Sequence, residues 1–257
     1  MNDYIKSILE KGLRLDGRKL DEIRKPITVE LGVSDKAEGS ARVKIGDTEV
    51  IAGIKMDVGK PYTDSPDKGV LITTAELLPL SSPDFFPGPP DQRAIELARV
   101  IDRGIRESKM IDFKKLCIKE GELVWIIFLD IYTINNAGNL LDASALAAIA
   151  ALKSAVLPKL EENKVKFGEF TKKSLPLTEI PLTTTVTKIG NNLIVDSSLE
   201  EEQAMEARLS IGISEKGNIH ALQKGGETGM TVEEIDKAIE MATKAFKTLN
   251  QALPKWK

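Results

Sequence analysis

A single cysteine and a single histidine in 257 residues leave few of the usual nucleophiles, metal ligands and proton shuttles. Cys117 has no second cysteine for an intrachain disulfide, and its apolar setting, LCI, reads as a small buried hydrophobe rather than a reactive thiol. His220 has no cysteine or paired carboxylate at ligand spacing, so it is expected to be structural, and neither a metal site nor a cofactor site is predicted. No run reaches the roughly 20 uninterrupted apolar residues of a membrane helix, and the opening MNDYIKSILEKG lacks the apolar centre of a signal peptide. The expectation is a cytoplasmic protein without membrane contact. A phosphate loop of the GxxxxGK(S/T) kind is also missing; Lys224-Gly225-Gly226-Glu227 is too short and reads as a turn. The net charge of −3 argues against nucleic-acid binding by bulk electrostatics, so only a local basic stripe could serve.

What is present is ordinary in bulk and specific in one place. With 42% apolar and 29% charged residues, the chain suits a single α+β domain of two lobes with a sizeable core. Its longest apolar stretch, LVWIIFLDIYTI from Leu123, runs into the tight loop NNAGN and then into LLDASALAAIAAL. A strand feeding a short loop and a helix N-terminus is a physical template for an anion site, because free N–H groups and the helix dipole converge there. The residues do not suit that use: Asn135, Asn136 and Asn139 bring dipoles without charge, and Leu140 brings nothing a phosphate could use. The continuous apolar pattern predicts a strand buried on both faces, with helices packed on its sheet. The helix is expected to run to about Leu157 and stop at Pro158. Its small residues, Ala143 to Ala151, permit close approach to the sheet or to another subunit, and plain core packing is the simpler reading.

The remaining elements have local signals. Ile5, Ile8 and Leu9 make a short docking helix over 3–11, capped by Gly12. Asp16-Gly17 turns between Arg14 and Arg18, both read as surface turn residues, and Pro26 introduces the strand ITVELGV. Gly46-Asp47-Thr48 joins two alternating segments as a hairpin, and VLITTAELLPL follows as a strand over 70–80. The proline-rich SSPDFFPGPPDQR presents Phe85 and Phe86, as plugs of the local core or as cover for a partner surface. Asp91 starts a helix in which Ile95, Ala98, Ile101 and Ile105 are expected to face the core. On that helix Arg99, Arg103 and Arg106 lie four and three apart, so they stack along one face, either as a solvated face with Glu96 and Asp102 as partners or as a phosphate or RNA contact. Glu120-Gly121 turns between two strands. Residues 159–175 read as a connection between an N-terminal lobe (1–158) and a C-terminal lobe (176–257), with Gly190-Asn191 and Lys216-Gly217-Asn218 as hairpin turns in the second lobe. Thr231 and Glu234 form a capping box for the final helix, whose core face carries Ile235, Ala238, Ile239, Ala242, Phe246 and Leu249. The carboxylates Asp130, Asp142, Asp196 and Glu200 to Glu202 are numerous, but sequence spacing does not pair them.

The succession RLDGRK, EGSARVKIGDTEVIAGIK, TAELLPL and PGPPDQRAIELARVIDRGIR resembles the RNase PH family in order and spacing over essentially the whole chain. The resemblance implies an RNase PH-like fold of two pseudo-repeated βαβα lobes with mixed sheets and packed helices. It also implies six-membered rings and phosphate-dependent removal of 3′-terminal nucleotides from RNA. The segments NNAGNLLDASALAAIAAL and KGGETGMTVEEIDKA are similar to those of a non-catalytic RNase PH-like subunit of the archaeal exosome. Such a subunit implies an alternating heterohexamer, a trimer of heterodimers, with a catalytic homologue, together with cap subunits carrying S1/KH-type domains and single-stranded RNA. Catalytic members carry a pattern like Asp-(Ala/Gly)-Gly-(Ser/Thr)-Arg-Thr, where Asn136-Ala137-Gly138-Asn139-Leu140 stands here. Gly138, Asn139 and Leu140 thus mark a degenerate phosphate site. Each hydrogen bond to a charged group contributes roughly 1.5–3 kcal/mol, so losing a two-pronged arginine removes much of the phosphate affinity. Arg208 falls on the position of a family aspartate, while Glu202 keeps an acidic one; an arginine cannot act as a proton-donating carboxylate. The resemblance also raises Arg99, Arg103 and Arg106 as RNA contacts. The resulting expectation is a non-catalytic, RNA-guiding subunit; the alternatives are an independently active phosphorolytic exoribonuclease and a scaffold without an RNA role.

Overall fold

Helix α1 (Asn2–Leu9) docks through Ile5 and Leu9, as its helical spacing requires. The computed structural model describes residues 2–254, so the outer limits of a domain over 1–257 lie outside the described residues. Strand β1 (Ile27–Leu31) pairs with β2 (Gly39–Ile45), which turns at Gly46-Asp47 into β3 (Thr48–Gly59). Alternation in β3 puts Val50, Ala52, Ile54 and Met56 inside. After β4 (Val70–Glu76) the proline-rich loop leads to α2 (Gln92–Glu107), capped by the Asp91 side chain. Strands β5 (Cys117–Lys119) and β6 (Leu123–Asn135) complete a sheet in the order β1-β2-β3-β6-β4, with β5 beside β6. The β4–β6 pair is parallel and the others are antiparallel, so this sheet is mixed.

Helix α3 (Leu140–Ser154) lies under that sheet, and every residue from Asp142 to Leu152 is buried. It contacts β2 and β3 on one side and the second sheet on the other, so its alanines serve packing within this chain. A Cβ on Gly39 would stand 2.7 Å from Cα of Ala155; only hydrogen fits there. The helix ends at Ser154 rather than near Leu157. Ala155 is already extended, Val156 pairs with Ser174, and the residue before Pro158 is sterically biased against helix. Strands β7 (Val156–Glu161) and β8 (Lys164–Ser174) form a hairpin across the segment read as a connection.

The second sheet follows the hairpin pattern of the sequence. Strands β9 (Pro181–Ile189) and β10 (Asn192–Val195) flank Gly190-Asn191; after α4 (Leu199–Gln203) come β11 (Ala207–Ser214) and β12 (Ile219–Gly226) around Lys216-Gly217-Asn218. Their order, β10-β9-β11-β12, is antiparallel throughout. Lys224, Gly225 and Gly226 belong to β12 rather than to a free turn. Helix α5 (Val232–Ala252) begins with the Thr231/Glu234 capping box and buries Ala238, Ala242, Phe246 and Leu249. One apolar core continues through both sheets. No helix of the described residues is long and apolar enough to cross a membrane.

Several expectations are corrected by packing. Strand β6 is not buried on both faces: Val124, Ile127, Leu129 and Ile131 point inward, whereas Ile126, Phe128 and Tyr132 are only half-buried. Helices α2 and α3 both lie on the inner side and pack on each other, with Ile101, Ile105, Ala145 and Ile149 around a small gap between them. Ile95 is 48% exposed, because Leu97, Ala98, Ile101 and Ile105 already fill that contact. Phe85 is buried at 6% while Phe86 is 80% exposed, so only one ring plugs the core. Cys117 is half-buried on the short β5. His220 lies on β12, with Nε2 3.8 Å from Glu179.

Arg14 and Arg18 are not surface turn residues. Arg14 is wholly buried and donates to Glu201 through Nε (2.9 Å) and Nη2 (2.5 Å), and to the carbonyls of Val195 and Asp196 at 2.9 Å. Arg18 reaches Asp196 at 3.1 Å and Asp16 at 2.6 Å. The segment before β1 is therefore a strap of cations bound to the second lobe; a buried guanidinium requires this many acceptors.

Candidate functional site

The loop after β6 is held from both lobes. Asn136 accepts the Gly138 N–H through Oδ1 at 3.1 Å, closing a tight turn. Gly138 has φ +93° and no room for a side chain, since a Cβ would stand 2.5 Å from the Ser197 carbonyl and 2.6 Å from the Leu199 nitrogen. Arg24 clamps this loop: its guanidinium donates to the carbonyls of Ala137 (2.5 Å) and Gly138 (2.9 Å) and pairs with both oxygens of Asp196 at 2.9 and 3.0 Å. Thr48 donates to the same Gly138 carbonyl at 2.6 Å.

Asn139 is the left-handed N-cap of α3 (φ +55°), and its side chain does not cap the helix. Instead Nδ2 bridges Asp142 (3.0 Å) and Asp196 (2.9 Å), while its backbone N–H donates to Glu202 Oε1 at 2.7 Å. Burial pushes the Asp142 carboxyl up to about 7, against the pull of the Asn139 and Thr185 donors. Glu202 is likewise raised by burial, opposed by the Asn139 N–H and by Arg208 and Arg24. Asp196 is also buried, yet the Arg24 guanidinium holds it below the usual carboxylate range.

Leu140 faces a cavity of about 350 Å³, with Phe85, Leu199, Met205, Glu202 and Arg208 around it. Arg208, on β11, pairs with Glu96 of α2 at 2.6 Å. A Cβ on Gly225 would stand 2.7 Å from Nε of Arg208, so this glycine makes room for that reach. Beyond the shared wall of Arg93, Glu96 and Arg208 lies a groove of about 860 Å³. Arg99, Arg103 and Arg106 form one side of it, and Gln223, Gly225 and Gly226 of β12 form the other.

The three helix arginines differ in commitment. Arg99 and Arg103 are exposed and have no hydrogen-bond or ion-pair partner among the described residues. Arg106 is engaged within the chain, donating to Asp102 (2.5 Å) and to the Leu71 carbonyl and lying over the Phe113 ring. The arrangement thus offers two free cations on a broad groove for a polyanion. At the head of α3 it offers a cradle with no uncommitted cation.

Sequence reasoning named the loop, the α2 arginines, Arg208 and the carboxylates Asp142, Asp196 and Glu202 without pairing them, and it missed Arg24. Arg24 has no local signal between Ile23 and Lys25. Its meaning comes from partners up to 172 residues away.

A mixed sheet, an antiparallel sheet and a buried helix between them, with the β6–α3 loop at their junction, define an RNase PH-like protein. The chain matches the 3′ exoribonuclease (RNase PH) family, domain 1 over 23–158 and domain 2 over 179–245, and it belongs to that family. It is 47% identical to the exosome complex component Rrp42 of Methanothermobacter thermautotrophicus, over 98% of this chain and 93% of that protein. In fold it is similar to a chain of the Archaeoglobus fulgidus exosome with RNA bound to the active site, with a TM-score of 0.90, 44% identity and coverage of 98% of this chain and 97% of that one. A chain of an archaeal exosome core gives a TM-score of 0.84 at 42% identity, covering 97% and 96%.

Proposed function

We propose that this chain is a non-catalytic subunit of a cytoplasmic archaeal-type exosome. It alternates in a six-membered ring with a catalytic RNase PH-like partner, beneath cap subunits with S1/KH-type domains, and supports phosphate-dependent 3′-to-5′ RNA degradation. The observation that carries this reading is the state of the β6–α3 cradle. Leu140 stands where a phosphate-binding arginine is needed, and the nearby cations Arg24 and Arg208 are spent on Asp196 and Glu96. The 47% identity to an exosome component over nearly the full chain supports the setting.

In this reading Arg99 and Arg103 guide single-stranded RNA. Unpaired guanidiniums four residues apart on one helix face offer charge to a phosphate backbone, the contact that carries no sequence information. The contact is therefore sequence-independent and weakened by salt. Arg106 contributes less, because it is already bonded to Asp102 and Leu71.

One experiment tests the whole. RNA, inorganic phosphate and divalent metal are incubated with this chain alone, with the catalytic homologue alone, and with both. The same mixture is then run with Arg99→Glu/Arg103→Glu in this chain. The expected result is no nucleoside-diphosphate release by this chain alone, robust release by the pair, and normal assembly with RNA affinity reduced at least tenfold for the double variant. Robust release by this chain alone would instead make it an independently active phosphorolytic enzyme. Unchanged RNA affinity at matched salt removes the arginine assignment.

A further inference from the structure

The groove beside α2 and the cavity at the head of α3 are divided by an ion pair. Glu96, Arg99, Arg103 and Arg106 succeed one another at helical spacing, so they lie along one face of α2, and all four line the groove. The row is cationic as far as Arg99. One turn before it stands Glu96, where Arg208 arrives from β11 with Nη2 2.6 Å from the Glu96 Oε1. Both side chains also line the cavity. Arg93, the third residue common to the two spaces, is fixed separately: it donates to the Asp84 carbonyl at 2.9 Å and lies over the Phe85 ring, 4.9 Å from its centre.

Arg208 is incompletely satisfied where it stands. It is opposite Thr187 of β9 and Gly225 of β12, and its Nε is buried without a hydrogen-bond partner among the described residues. The absent side chain at Gly225 lets the guanidinium lie there, since a Cβ would stand 2.7 Å from Nε and 3.0 Å from Nη2. The Arg208 side chain is 17% exposed and that of Glu96 36%, so an anion coming along the groove meets the carboxylate more readily than the cation behind it. With Glu96 removed, the same guanidinium would extend the row of Arg103 and Arg99 by one cation, toward the cavity.

We infer that Glu96 and Arg208 form a stop on the RNA path: Glu96 masks Arg208, so a single strand held by Arg99 and Arg103 ends its contact there and does not turn into the β6–α3 cavity. The inference rests on the reading of Arg99 and Arg103 as RNA contacts and adds to it a specificity-determining pair. A masked cation contributes no phosphate contact, and a released one contributes one more.

The test uses the full chain and a uridine oligoribonucleotide carrying 4-thiouridine. Affinity is measured over a range of salt for the parent, Glu96→Ala and Glu96→Ala/Arg208→Ala, with folding checked by thermal melting, and peptides cross-linked on irradiation are identified by mass spectrometry. The parent and the double variant both carry no net charge at the pair, so they are expected to bind within threefold of each other. Glu96→Ala is expected to bind at least fivefold tighter than either, with a salt slope steeper by about 0.7, the value of one further contact on a single strand. Cross-links to Leu199 or Met205, which line the cavity, are expected in Glu96→Ala and not in the parent. Cavity cross-links in the parent, their absence from Glu96→Ala, equal affinity of Glu96→Ala and the double variant, or a double variant more than threefold weaker than the parent each overturn the inference. If the double alanine variant fails to fold, Glu96→Gln/Arg208→Gln keeps the side-chain lengths without the charges and takes its place with the same expectations. RNA affinity unchanged by Arg99→Glu/Arg103→Glu would sink the underlying reading together with the inference, whereas equal affinity of Glu96→Ala and the double variant sinks the inference alone.

Discussion

At the scale of single residues, the molecule concentrates charge in its interior at the junction of the lobes. Arg14 and Glu201 are both buried and bonded through two contacts. Removing one partner strands the other charge away from water, so Glu201→Ala is expected to cost about 3–5 kcal/mol in urea unfolding. The double replacement Arg14→Met/Glu201→Leu should cost clearly less; equal losses would show that the pair is not what the site requires. Asp142 gives a pH signature. Its carboxyl is pushed from 3.8 to about 7 in the folded chain, so the native state retains a proton that the unfolded chain releases. The contribution of this group to stability is greatest below about pH 4, falls as the pH rises toward 7, and is level above that. The loss of stability between pH 5 and pH 8 should therefore be smaller in Asp142→Asn, by roughly 1–3 kcal/mol. Parallel curves would refute the shift. None of these partners was legible in the sequence, because Arg14, Arg24 and Glu202 acquire meaning only from contacts 63 to 187 residues away.

At the scale of elements, the legible parts are those with local signals. Asp91 and the Thr231/Glu234 box cap α2 and α5 where expected, and Gly46, Gly190 and Gly217 turn the hairpins with positive φ. The misread parts are those where neighbours decide. Strand β6 is apolar on both faces by composition, yet no helix packs on its outer side among the described residues. The end of α3 is set by the pairing of Val156 with Ser174, which no window around Pro158 reveals. The packing of α3 on β2 gives a contrast between two strand glycines. Gly39 has backbone of Ala155 2.7 Å from a would-be Cβ, whereas Gly53 has nothing within 4 Å. Gly39→Ala is expected to cost about 1–3 kcal/mol in thermal or urea melts, and Gly53→Ala close to nothing. A neutral Gly39→Ala would mean that the helix yields easily.

For the whole molecule, the uncovered side of the first sheet matters most. Ile72, 36% exposed, stands opposite Phe128 in the parallel β4–β6 register, with Ile126 and Tyr132 along the same face. An apolar sheet face without a helix of its own chain is a natural seat for a neighbouring subunit. Ile72→Asp should leave the melting temperature within a few degrees of the parent while weakening co-elution with a catalytic RNase PH-like partner in size-exclusion chromatography. Unaltered co-elution would show that this face is not where the proposed partner docks.

The strap before β1 has a further consequence in time. Arg14 meets Glu201 across 187 residues. At ordinary ribosomal speeds of about 5–20 residues per second, that separation is ~10–40 s of synthesis. For that interval Arg14 of the nascent chain is without Glu201, the carboxylate that holds it in the core. The Arg14–Glu201 lock therefore closes after the first sheet and α3 have been made, whatever the order in which those elements pack.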